Sequence, residues 1–213
     1  MRVLTALMLF ALAACSRPLS DAEEQFAADL FGDTLDTSKV TVSQGVGVRA
    51  PATTVPVSVQ VVHGTDKACV PDPQPRTERP QPLAFALFNR LHFDDDFYSS
   101  DLALGWQQGG LRVPHGLVLA HELTHVWQWQ NRAETGYTPA AAVAESLQLT
   151  DPYFFRPGEE PSFFAFGYEQ QATIVEEFVC FTVANPNHPR RQELRALLEP
   201  HFPVAQFEAA VGR

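Results

Sequence analysis

The sequence predicts an α+β fold on three observations. Near the front, Phe26, Leu30 and Phe31 recur close to helical period. From Val40 to Val62 β-branched residues alternate, the pattern of strands with one buried face. Two more helical runs follow, about Pro114 to Asn131 and Ser162 to Val183. Helix, strands, helix, loop, helix is the order of an α+β domain.

Residues 1–14, MRVLTALMLFALAA, place one positive charge ahead of an apolar run. That run is shorter than the roughly 20 residues a membrane-spanning helix needs, so it predicts a secretory signal. Cys15 directly after Leu12-Ala13-Ala14 resembles a bacterial lipobox, in which the cysteine is lipidated. The expectation is a signal over 1–14, a tether over 15–22 and one domain over 23–213, held at the bacterial cell envelope on its periplasmic face or at the outer membrane. Ser20, three residues before Glu23, has the spacing of a capping box and starts the first helix.

Val40, Val42, Val46, Val48, Val55, Val57, Val59 and Val61 mark strands, interrupted at Gly45 and Pro51. The proline-rich stretch 71–82 forbids regular structure. LAFALFNRLHF then reads as one more strand, and Asp94-Asp95-Asp96 as a solvated turn lacking the spacing of a calcium loop. Gly109-Gly110 breaks the chain before the run that carries HELTHVWQWQ. A small alanine-rich helix is expected from Pro139 to Leu149, a long helix from Ser162 to Val183, and a short helical tail from Arg190.

A net charge of −10 argues against nucleic acid and against a polybasic grip on anionic lipid. The membrane partner implied is the lipid on Cys15 itself. Cys69 and Cys180 remain in a chain addressed to an oxidising compartment. They form one disulfide, or Cys180 is a buried free thiol in the apolar run Phe178 to Phe181; sequence leaves both open.

His121 and His125 lie one helical turn apart on one face, with Glu122 one step round. This spacing suits two imidazoles on one metal ion and a carboxylate that takes a proton from a water beside it. A catalytic zinc site needs a third protein ligand. A histidine three residues past a glycine is excluded, because positions 128 and 131 are Gln128 and Asn131. Among downstream acids, Glu169 stands on a helix with apolar faces and is favoured; Glu145 is its rival. Donors toward a tetrahedral oxyanion are sought in Tyr168 and His115, with Tyr153 and Tyr137 beside them.

HELTHVWQ together with YEQQATIVE resembles the zincin-like, gluzincin-type metallopeptidases, a group that includes bacterial Vgr-related proteins and, more loosely, HELTHVVQQ domains of exported and toxin-like proteins. The resemblance extends to LSDAEEQFAADLFGDTLDTSKVTV and LFNRLHF. It implies a small fold in which the HExxH helix and the third-ligand helix pack with a short antiparallel or mixed sheet. It implies Zn2+ on His121, His125 and Glu169, and hydrolysis of a protein or peptide substrate with Glu122 as base. In the ExxAD motif of such enzymes the glutamate three residues before the alanine is the ligand, which is Glu169 before Ala172. The aspartate after that alanine is Thr173 here. The alternative is a lipid-anchored zinc-binding or secretion-associated protein without turnover.

Overall fold

The computed structural model describes residues 16–45, 60–62, 68–78 and 82–211. Cys15 and the alternating positions 46–59 lie outside them. The expected α+β class is observed. The first sheet has the order β1-β2-β5-β4, built from β1 (Ser16–Pro18), β2 (Thr41–Gln44), β4 (Ala84–Leu87) and β5 (Arg90–Phe93). It is mixed: β2 and β5 are parallel, while the outer pairs β1/β2 and β4/β5 are antiparallel. Strands β3 (Gln60–Val62) and β6 (Leu111–Val113) form a second, antiparallel pair.

Three expectations are corrected. Ser16–Pro18, assigned to a tether, pair with β2, and Arg17 is fixed there by Glu23 at 2.6 and 2.8 Å and by the Ser99 carbonyl at 2.9 Å. LAFALFNRLHF is a hairpin, not one strand. Its turn places Phe88 in the left-handed region (φ 58°), which a bulky residue adopts only under constraint; its ring packs on Trp129 at 4.8 Å. The tail is two helices, α6 (Pro189–Leu198) and α7 (Val204–Val211), separated around Pro200 and Pro203.

Helix α1 (Asp21–Phe31) opens with the expected capping box: the Ser20 hydroxyl accepts from Glu23 N–H, and Glu23 accepts from Ser20 N–H. Its buried Phe26 meets Trp106 and Phe207 edge-on, at 5.0 and 5.9 Å. Helix α2 (His115–Gln130) is buried on nearly every side, which makes it the central helix. It packs along α5 (Tyr168–Ala184) and against β4. Short α3 (Arg132–Thr135) and α4 (Pro139–Gln148) connect the two long helices. Helix α5 starts later than the expected Ser162, because Phe163–Ala165 form a separate tight turn and Gly167 is the cap. Among the described residues no helix is long and apolar enough to cross a membrane.

His115, at the start of α2, is buried and stacks on Phe97 at 4.3 Å. Burial, aided by the charge of Arg112, lowers its pKa to about 4. An unfolded histidine titrates near 6.5, so between those values the unfolded chain binds the extra proton. Stability is therefore full above about pH 6.5 and is lost as pH falls towards 4. His115→Phe, which keeps a stacked ring, should flatten the drop in Tm over that window, recovering on the order of 2–3 kcal/mol at pH 4. An unchanged Tm profile would refute this.

Candidate metal centre

Helix α2 presents His121 and His125 on the face turned to α5, where Glu169 occupies the first turn. The two Nε2 atoms each lie 3.2 Å from the same oxygen, Oε2 of Glu169. One ligand atom from each of the three residues falls within 4.8 Å of the others, a group that could hold a metal ion. Both histidines are 6 % exposed, so bulk water does not solvate the group freely.

Convergence of the Nε2 atoms requires each ring to be fixed from its other nitrogen, and both are. His121 Nδ1 is 3.1 Å from Glu176 Oε2, and His125 Nδ1 is 2.8 Å from Gln128 Oε1. Gln128 is in turn held by its amide donating to Gln171 Oε1 at 2.9 Å and to the Tyr168 carbonyl at 3.2 Å. On Glu169, the second oxygen accepts from Ser146 Oγ at 3.1 Å. Thr173, where an aspartate was the motif's expectation, donates to the Glu169 carbonyl at 2.9 Å and backs neither ring. Its place as a support is taken by Glu176, two turns beyond Glu169 on one face of α5. Sequence reasoning weighed Glu176 only as one of the downstream acids that could be the third ligand, and passed over Gln128; the i, i+7 and i, i+3 spacings to Glu169 and His125 are the signals for their backing roles.

Glu145, the rival ligand, does something else. Its two oxygens accept from Tyr168 N–H (3.0 Å) and Glu169 N–H (3.2 Å), capping the N-terminus of α5 where a carboxylate also meets the positive end of the helix dipole. Gly167 makes room for it: a Cβ there would stand 2.5 Å from Glu145 Oε1.

The charges reinforce one another. Burial alone would lower the pKa of both histidines, yet Glu169 beside the two rings and Glu176 beside His121 hold both raised. Burial would raise Glu169, but the rings hold it below the usual carboxylate range. Glu122 differs: burial pushes it up to about 7, against the pull of the two imidazoles. Its Oε2 is buried and has no hydrogen-bond partner.

The tyrosines nearest the histidines are Tyr153, whose ring lies 5.6 Å from His121, and Tyr137, 6.0 Å from His125. Burial and then the Glu169 and Glu122 charges raise both phenols, keeping them protonated as donors. Tyr168 stacks edge-on against Tyr137, its hydroxyl against Gly136. His115 lies at the far end of α2 against Phe97 and does not line the cleft. Of the four candidate donors, Tyr153 is the one that lines the cleft with His121 and Glu122.

A cleft of about 320 Å³ opens beside the group, bordered by Leu83 and Ala84 at the start of β4 and by the residues around Cys69 and Cys180. Those cysteines are bonded, their Cα atoms 5.8 Å apart. Glu176→Ala should weaken affinity for a divalent transition metal about 10–100-fold by freeing the His121 ring. Glu177→Ala, which loses an ion pair to Arg190 instead, should not; chelator competition measures both.

No protein-family model matches the sequence, and no curated protein matches it. A solved structure does: the effector domain of Pseudomonas aeruginosa VgrG2b, with a TM-score of 0.51 and 22 % identity over 89 % of this chain and 85 % of that one. The likeness is one of fold.

Proposed function

We propose that this chain is a zinc-dependent peptidase of the bacterial cell envelope, deployed as a secretion-associated effector. The observation that carries the catalytic part is the buried, unbonded Oε2 of Glu122 beside the His121, His125 and Glu169 group. A site meant only to hold a metal has no use for an unpartnered carboxylate, whose burial costs stability. The likeness to an effector domain supports the deployment, and the lipobox-like residues before Ser16 support the location.

The donor set suits zinc. Two imidazole nitrogens and one carboxylate oxygen are a familiar catalytic triplet for it, and donors each about 2.0–2.1 Å from a tetrahedral ion lie roughly 3.3 Å apart. The 3.2 Å separations of both Nε2 atoms from Glu169 Oε2 match that spacing. When bound, zinc supplies Lewis acidity and lowers the pKa of water to near neutral.

The chain's own residues do the rest. Glu122, buried beside the two imidazoles, accepts a proton at Oε2 from the attacking water and returns it to the departing amine. Tyr153 donates its phenolic hydrogen toward the oxyanion that develops at the scissile carbonyl. Strand β4 is the sheet's edge and borders the cleft, so an extended peptide can add to it as a further strand. Strand β5 is interior between β2 and β4 and offers no free edge for such pairing.

Zinc-loaded protein should cleave denatured casein or peptidoglycan stem peptides, lose that activity on chelation and regain it with added zinc. A fully loaded protein that cuts neither these nor a random peptide library would end the peptidase reading.

A further inference from the structure

The cleft beside the metal group is not walled by the fold alone. Its floor is apolar and buried, made by Leu117, Phe155, Phe181 and the Cys69–Cys180 bond. Its outer wall is the stretch 68–76, which contains no helix or strand and has prolines at 71, 73 and 75 that cannot donate hydrogen bonds.

Beyond the disulfide, the described polar attachments of this wall are slight. Arg76 N–H donates to Asp151 Oδ2 at 2.8 Å, and its guanidinium stands 3.7 Å from Oδ1 and 5.6 Å from the Tyr153 ring centre. Arg76 is more than half exposed, and such pairs contribute little. Among the described residues, the covalent bond and the packing of Ala68 and Cys69 on the core are therefore the wall's main ties. The bond ties the wall to α5, the helix that also bears Glu169 and Glu176. That helix does not depend on the bond: Ala172, Ile174, Val175, Phe178 and Val179 are buried on it, and it packs along α2.

We propose that the Cys69–Cys180 disulfide completes a pocket for a large apolar side chain of the substrate, so that reduction abolishes peptide recognition while leaving the metal group intact. The proposal rests on the reading of the site as one that binds peptides. An apolar floor in a cleft that Glu122 and His121 also line places such a side chain next to the bond to be cut. Burying a Leu or Phe side chain there is worth roughly ten- to a hundredfold in affinity. Both cysteines line the cleft although they are only 8 % and 5 % exposed, so a small reductant reaches the bond through the pocket. A phosphine supplies the two electrons: with one water it becomes phosphine oxide, the S–S bond breaks, and each sulfur gains a proton as a thiol. Because binding and reduction use the same space, a bound peptide shields the bond.

The test uses the full zinc-loaded chain carrying Glu122→Gln, to prevent turnover, and two labelled peptides identical except for a central Phe or Ala. The oxidised protein should bind the Phe peptide at least tenfold more tightly than the Ala peptide. Phosphine reduction should erase that difference with zinc content unchanged. Val118→Phe, which fills the pocket with the bond intact, should erase it as well. Saturating Phe peptide should slow phosphine reduction at least tenfold, a readout that needs no reduced protein to stay folded. Equal binding before and after reduction, no preference for Phe, release of zinc in step with reduction, or unslowed reduction would each overturn the proposal. The two readings fail separately. Redox-dependent binding by a wild-type chain that cuts nothing sinks the peptidase, whereas cleavage of Phe peptides unaltered by reduction sinks the pocket.

Discussion

Glu122→Gln is expected to lower kcat for peptide cleavage by about 10²–10⁴-fold while zinc stays bound. The carboxylate is not among the three converging ligands, so its loss removes a proton acceptor and not a metal contact. The substitution keeps the shape of the side chain and removes its charge. That separates chemistry from folding, because the wild-type group is costly to the fold. Its pKa, raised by burial to about 7, lies above the value near 4.3 of an unfolded glutamate. Between those values the folded chain holds the extra proton, so the stability of metal-free protein declines as pH rises from about 4.3 to 7. The Gln variant carries no such charge, and at pH 8 its metal-free Tm should not fall below that of wild type. Activity surviving in the variant, measured with matched zinc content, would remove Glu122 from the reaction. A collapse in Tm would instead make the residue structural.

How far the site was readable follows the distance over which each residue acts. His121 and His125 are one turn apart on one helix, so local geometry alone pairs them. Glu169 needed a second helix to be brought alongside the first, and the hints that it would be were the apolar faces around Ala172, Ile174 and Phe178 and the resemblance that aligns Glu169 and Ala172 with an ExxAD motif. Glu176 and Gln128 were within helical reach of residues already chosen, but a backing role is visible only once ring orientation is known. Tyr153 sits in an aromatic loop whose path depends on contacts made elsewhere, including Arg76, and no periodicity marks it. The same limit applied to the fold. Leu83, Phe85, Leu87, Leu91 and Phe93 keep one alternating phase on both sides of the turn, so a hairpin whose Phe88 is held by contact with Trp129 reads as one strand. Ser16–Pro18 is too short to show any period, and its place at the sheet edge is fixed by Glu23, itself buried and accepting from Arg17 and Leu102 N–H.

The two acids that sequence set against each other should now separate cleanly. Glu169→Ala removes the oxygen on which both Nε2 atoms converge, leaving two protein ligands where a catalytic zinc site has three. Zinc should then be lost to a chelator at least a hundredfold more readily, and cleavage with it. The histidines also lose the acid that raises them, yet α2 remains buried on its other faces, so the helix should stay folded. Glu145→Ala should leave the ligands in place and act on the fold: two backbone N–H groups at the start of α5 lose their acceptor, at about 1 kcal/mol or somewhat more. A modest drop in Tm with nearly intact zinc affinity is the expected signature. Weakening of zinc beyond about tenfold in Glu145→Ala, with Glu169→Ala still binding normally, would reverse the roles assigned to the two carboxylates. Some coupling is built in, because the Glu145 cap fixes the N–H of Glu169 itself. A small loss of affinity in Glu145→Ala therefore reports positioning, and Glu145→Gln, which can still accept through its amide oxygen, should restore part of it.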